Sequence, residues 1–399
     1  MCYLSRMKVL IFLLQLLLLA GPFVLAAYAV RYFTDSRLWF RTLLLVGGGL
    51  GVLLFFVWLT DLAGWQRAGQ ARRLAHYLGQ ENYRAYLLRP EKDPLLLERR
   101  LLLLDWSSRA LVQAAARDTA LVPAALNQLN WTTEWVLDRQ RFPAWREGRG
   151  WDRQLFFLTH ALGILTTRAR VYDDDRYAEE RARIAKYLSA ALPRSRYKHL
   201  AGRPYDEALR PGENALALAA LAEYYGQTGR QPPTEPTLDW YRYTQKELTH
   251  EGTKLPCAGF NETDRCRYAP VNNALGLMTV GITRAAPDLG RELYQDYRPF
   301  FFHTFWGLLG RFATEWAGEE LPEFCDDNAR PLQCGELDDP VGQWAAAVNE
   351  DWLVYYQLHN RLFLRDIFSG RPVLPAGAPE TWEKPLLETS VRLLAGQGK

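Results

Sequence analysis

The chain has 399 residues, enough for one large domain or two smaller ones, and 48% of them are apolar, ample for a core. A formal net charge of +3 and the lack of any basic run argue against nucleic acid as a partner. The 14 Trp and 20 Tyr suit helix–helix packing or a pocket for something apolar or sugar-like.

Two apolar segments come first. Residues 9–30 and 43–60 are each long enough to cross a bilayer, and the polar loop Arg31 to Arg41 joins them. Trp39, Trp58 and Trp65 lie where interfacial aromatics belong. Residues 1–66 therefore read as a two-pass hairpin in a bacterial-type inner membrane. A signal peptide, with Arg6 and Lys8 before the apolar run and Ala27-Tyr28-Ala29 as its cleavage site, is the competing reading.

From residue 67 to 399 the chain breaks into about a dozen amphipathic stretches of ordinary helix length. They fall near 68–88, 93–117, 121–139, 152–168, 174–191, 212–228, 235–249, 271–284, 287–314, 340–350, 352–367 and 380–395. Asp173-Asp174-Asp175 is expected to open one helix, where carboxylates suit the positive end of the helix dipole. No alternating strand run of useful length occurs, so the class is all-α. Paired helices in one domain of this size predict an (α/α)6 toroid, and no fixed repeat period supports a solenoid.

Two irregular stretches, 251–270 and 317–340, interrupt the helices and are expected to cover the same end of the toroid. Each brackets a polar loop between two cysteines, Cys257 with Cys266 and Cys325 with Cys334, at the same spacing. That spacing suits two local disulfides and matches zinc knuckles poorly, so no metal is expected. Disulfides place the domain outside the cytoplasm. Charge counting points the other way, because Arg6, Lys8, Arg67, Arg72 and Arg73 outnumber Arg31, Arg37 and Arg41. The matched cysteine loops tip the reading to the extracytoplasmic side.

Chemistry has few places to sit. His160 lies in an apolar helix and is either a hydrogen-bonded core residue or an acid–base catalyst. Asp206, Glu207 and Glu213 flank a helix start, as capping groups or as carboxylates aimed into a pocket. Asp338 and Asp339 share that ambiguity, and Tyr205 and Tyr268 are candidate proton donors or substrate contacts. No phosphate loop, HExxH or GxSxG motif occurs.

The segments THALGILTTRARVYDDDRYAEERARIAKYL, PYDEALRPGENALALAALAEYYGQTG, PVNNALGLMTVGI and VGQWAAAVNEDWLVYYQL, in that order, resemble the linalool dehydratase/isomerase family over residues 105–365. The resemblance implies an (α/α)6 toroid that adds or removes water from tertiary terpene alcohols with no cofactor. It sets His160 on the family's active-site histidine, while the two loop cysteines of that family read Pro204 and Glu213 here. The expected site is then His160, Asp206, Glu207 and Glu213 for catalysis, with Tyr205, Tyr268, Asn272, Asp339 and Trp344 around a small apolar or amphipathic substrate.

Three functions follow as expectations: acid–base hydration, dehydration or isomerisation of an apolar alcohol; a carbohydrate-active toroid enzyme with Asp338 and Asp339 as paired carboxylates; or a non-catalytic module of a membrane assembly. An exposed toroid flank could also pair with copies of itself.

Overall fold

The computed structural model describes residues 2–34, 36–62, 64–142, 144–147, 151–231, 234–261, 266–316, 332, 335–368 and 378–396. The chain opens with α1 (Cys2–Thr34) and α2 (Arg37–Leu62), which pack side by side and contain the apolar helical segments Met7–Thr34 and Arg37–Asp61. Both segments are long and apolar enough to cross a membrane. Then follow α3 (Trp65–Leu78), α4 (Glu81–Leu88), α5 (Pro94–Ala115), α6 (Val122–Val136), α7 (Ala144–Glu147), α8 (Leu155–Tyr172) and α9 (Ala178–Arg194). The second half holds α10 (Pro211–Gln227), α11 (Thr234–Glu247), α12 (Asn272–Ala285) and α13 (Pro287–Phe301). A hairpin of β1 (Phe302–Phe305) and β2 (Leu309–Phe312) precedes α14 (Asp338–Val348), α15 (Trp352–Phe368) and α16 (Glu383–Ala395).

Helices α5, α8, α10, α12, α14 and α16 each pack on the next, and α16 returns to α5, closing a ring. Between successive ring members the chain passes through α6, α9, α11, α13 and α15, and α3 packs outside α5 and α16. This is an (α/α)6 toroid. The inner helices read as nearly all-apolar because both faces are covered; Leu101 to Leu104 and Leu155 to Leu158 are buried throughout.

Local chemistry sets the helix ends. Asp93 accepts the Leu95 N–H at 2.9 Å with Pro94 as the first helical residue of α5. The first donors of α8 have no cap of their own. Leu155 and Phe156 donate instead to the carbonyls of Ala201 and Gly202, at 3.1 and 3.2 Å, in the loop before α10.

Three boundaries differ from the sequence reading. The stretch 68–88 breaks at Gly79 into α3 and α4. The acidic triplet closes α8 rather than opening α9: Asp173 adopts φ 48 as the C-cap, and the first turn of α9 has Glu179 and Glu180 instead. The stretch 287–314 stops being helical at Phe301. Phe302 to Phe305 is β-branched and aromatic in character, and Trp306 and Gly307 both take positive φ, so the chain turns back as a hairpin.

Candidate active site

Side chains near the N-terminal ends of the inner helices meet across the ring. Glu98 of α5 and Glu213 of α10 share one arginine, Asn272 of α12 bonds Asp338 of α14, and Arg99 and Arg100 of α5 pair with Glu383 of α16. The N-terminal ends of the inner helices therefore lie together at one mouth. Positive helix ends with unpaired N–H groups favour carboxylates there.

The loop 195–210 supplies the arginine. Arg203 Nε donates to Glu98 Oε2 at 2.5 Å, and its Nη2 lies 2.6 Å from Glu213 Oε1. Its guanidinium stands over the Phe156 ring at 4.9 Å, and Phe156 in turn packs on His160. Burial raises the Glu98 carboxyl to about 6 against the pull of Arg203, and Glu213 pushes in the same direction. Tyr205 hydrogen-bonds Glu98, and burial holds its phenol above the ordinary range. Burial opposes the charge of Asp206, but Arg210, the Ala208 N–H and Arg203 hold its carboxyl below the usual range. Asp206 Oδ2 takes Arg210 Nε and Nη2 at 3.1 and 2.6 Å, and Arg210 lies over the Tyr268 ring.

The cysteine loop covers this end. Leu209 and Phe260 exchange backbone hydrogen bonds at 2.8 and 3.0 Å, which pins the 251–261 stretch to the arginine loop. Cys257 and Cys266 form a disulfide with Cα atoms 5.5 Å apart. Cys325 and Cys334 lie outside the described residues.

Beneath the mouth the pore narrows. A cavity of about 70 Å³ is bounded by Phe156, Arg210, Glu213, Leu216, Asn273 and Leu277. Leu216 also bounds a deeper chamber of about 20 Å³, with Asp105, Trp106, His160, Arg284 and Trp344. His160 Nδ1 lies 2.7 Å from Asp105 Oδ2, Arg109 Nε donates to Asp105 Oδ1 at 2.6 Å, and Arg109 Nη1 reaches Glu223 at 2.8 Å. Arg284 adds a further ion pair to Glu223. Burial works against the Asp105 charge, yet Arg109 and His160 hold its carboxyl below the usual range. The second nitrogen of His160, Nε2, is thereby left as the acceptor when the ring is neutral.

The expected apolar central pocket is thus corrected. Pockets for drug-sized molecules run to roughly 300–1,000 Å³, and a chamber of about 20 Å³ holds one water. Aromatic rings and a chain of buried charges fill the pore instead.

Of the predicted residues, Tyr205, Asp206, Glu213 and Tyr268 come together at the mouth, with His160 and Trp344 below them. Glu207 is exposed and joins none of these contacts among the described residues. Asn272 holds Asp338, donating to its carbonyl and its Oδ1 at 3.1 Å each. Asp338 and Asp339 do not act as a pair. Asp338 is bonded by Asn272 and by Thr314 Oγ1, whereas Asp339 accepts the Phe312 N–H at 2.8 Å and faces Arg361. Both border a polar cleft of about 760 Å³.

Three contributors escaped the sequence reading: Glu98, Arg203 and Asp105. Asp105 had a signal, as a lone acid inside the apolar run LLLLDW with Arg109 one helical turn on.

No protein-family model matches the chain, and no curated protein does. Among solved structures the chain is similar to an inactive variant of alpha-1,6-mannanase, GH76A of Salegentibacter sp. HEL1_6, in complex with alpha-1,6-mannotetrose. The TM-score is 0.50 at 11% identity, over 83% of this chain and 98% of that one. A second inactive variant of the same enzyme, in complex with alpha-1,6-mannotriose, gives 0.49 at 11% identity, over 83% and 99%. The likeness is one of fold. It supports the toroid that the resemblance to the linalool dehydratase/isomerase family implies.

Proposed function

We propose that the chain is a membrane-anchored enzyme that acts on a carbohydrate at the mouth of its toroid, with Glu98 and Glu213 as the acid–base pair. One observation carries this reading: two carboxyl groups from the inner helices α5 and α10 converge on a single guanidinium, and burial keeps the Glu98 proton to about pH 6. A carboxyl that holds its proton to about pH 6 beside a second carboxyl group is an acid–base arrangement of the kind glycosidic bond cleavage uses. Tyr205, half-exposed beside Glu98, supplies an aromatic face for a sugar ring. The carbohydrate class is supported by the similar toroid, which was solved with a mannose oligosaccharide. Two apolar helices support the anchor, and the Cys257–Cys266 disulfide supports a domain outside the cytoplasm. The test is product release from α-1,6-mannotetraose and a panel of other oligosaccharides by the purified full chain. Release that Glu98→Gln and Glu213→Gln each abolish is the expected result; release indifferent to both sinks the assignment.

A second reading has one observation in its favour. The His160–Asp105 pair leaves Nε2 as the acceptor in a small chamber bordered by Trp106, Trp344, Arg109 and Arg284, a positioned base of the kind that hydration or dehydration of an alcohol uses. Turnover that survives Glu98→Gln and is lost in His160→Gln would select it.

A further inference from the structure

Helix α1 runs beside α15 in the same direction. Lys8 Nζ stands 4.4 Å from the Trp352 ring centroid, Gln15 Oε1 accepts from Asn360 Nδ2 at 3.1 Å, and Leu19 and Leu364 border one cavity. As an outer helix, α15 runs opposite to the inner ones and ends at the mouth. Residues 24–34 of α1 therefore continue past that end, by about 16 Å at 1.5 Å per residue. A bilayer crossed by α1 and α2 lies on the mouth side.

The β-hairpin reaches toward the same place. Its tip has Phe305 and Trp306 stacked at 5.4 Å and 62% and 66% exposed, a pair of large apolar side chains left to solvent. A Cβ on Gly307 would stand 3.0 Å from Leu18 Cδ1, so the turn sits against the middle of α1. The tip is held there: Asn360 Nδ2 donates to Leu308 O at 3.1 Å and Gln357 Nε2 to Gly307 O at 2.8 Å. These bonds fix the hairpin as a wall rather than a loose flap.

Between that wall and the two helices lies a cavity of about 200 Å³. Leu19, Leu50, Leu54, Val57, Leu308 and Leu309 line it, and exposed Leu53, Phe305 and Trp306 stand at its edge. An engineered apolar cavity of about 150 Å³ already takes up benzene, so this one is large enough for several methylenes. Asn360 is the one polar lining residue among the described residues, and both protons of its amide are spent on Gln15 and Leu308.

We propose that this cavity binds one hydrocarbon chain of a bilayer lipid, gripped between α1, α2 and the β-hairpin. The occupant follows from position: the cavity is apolar, preformed, and opens beside the exposed faces of two bilayer-length helices, where acyl chains are the surrounding medium. The inference rests on the membrane anchor in the proposed function and is independent of the carbohydrate chemistry.

The test uses the full chain in nanodiscs of phosphatidylcholine doped with phosphatidylcholine bearing a diazirine on its acyl chain. After illumination, labelled positions are mapped by mass spectrometry. The exposed Leu17 and Leu25 report ordinary bilayer contact. Label is expected on Leu54, Leu308 and Leu309 as well, and Leu309→Trp, which fills the cavity, should remove most of it while leaving Leu25 unchanged. If Leu309→Trp loses its Cys257–Cys266 bond or its helical melt, Leu53→Trp fills the cavity from the opposite wall. Strong label at Leu25 with none on Leu308 or Leu309, or cavity label that both variants leave intact, overturns the chain site. Absence of label at Leu17 and Leu25 overturns it too, by removing the membrane reading beneath it.

Discussion

His160 Nδ1 lies 2.7 Å from Asp105 Oδ2, a bond from one inner helix to the next at the centre of the toroid. Asp105 also takes Arg109 at 2.6 Å, so one carboxylate neutralises a guanidinium and orients an imidazole. Removing the charge with Asp105→Asn strands Arg109 in the pore with only Glu223. Breaking a buried pair in this way costs about 3 kcal/mol. Denaturant unfolding of the detergent-solubilised chain should show that loss, and Asp105→Glu should recover part of it. A variant as stable as the parent would mean the pore is wetter than its packing implies.

Glu98 gives the fold a pH dependence of definite sign. Its carboxyl moves from 4.5 to about 6 on burial. Below 4.5 both folded and unfolded chains hold the proton and nothing is lost. As pH rises toward 6 the unfolded chain ionises first, so stability falls, and above 6 the whole loss, about 2 kcal/mol, is in place. Asp338, which burial moves from 3.8 to about 6, acts in the same direction over an overlapping window. Glu98→Gln should therefore flatten part of the slope between these limits and Asp338→Asn another part. In the proposed enzyme, turnover should also fall as pH rises through about 6, because the acid is then ionised.

How much of this was legible beforehand depends on which physical signal carried it. Helix periodicity survives in any sequence that buries one face, so the toroid and the apolar hairpin could be read directly. The mouth was half legible. Tyr205, Asp206 and Glu213 sit on one loop and the helix it feeds, so sequence neighbourhood brought them together. Glu98 and Arg203 belong to segments more than a hundred residues apart, and only ring closure makes them partners. Asp338 and Asp339 misled for a related reason. Adjacent residues in the first turn of a helix point about 100° apart, so two neighbouring carboxylates need not share a site.

Gly163 tests how closely α8 must approach α5. A Cβ at this position would run into Nη2 of the Arg109 guanidinium. Gly163→Ala should displace Arg109 from Asp105 and Glu223 and destabilise the chain by about 1–3 kcal/mol, in spite of alanine's better helix propensity. The double variant Gly163→Ala with Arg109→Met separates the causes. If the clash with Arg109 is the problem, the second change should lessen the penalty of the first.

The Cys257–Cys266 bond closes a loop that is itself paired to the arginine loop through Leu209 and Phe260. Its removal therefore has two effects of different reach. Freeing a loop of this length costs about 2–3 kcal/mol through the unfolded chain, wherever the loop lies. Loosening the Leu209–Phe260 bridge also frees Arg203 to leave Glu98 and Glu213, a local effect confined to the mouth. Cys257→Ser with Cys266→Ser should thus lower the melting temperature and, separately, raise amide exchange at Leu209 and Phe260 far more than at Leu162 in the buried middle of α8. Mass spectrometry after alkylation, with and without reduction, checks that the parent carries the bond. Uniform exchange across all three amides would show that the disulfide acts on global stability alone and that the mouth keeps its shape without it.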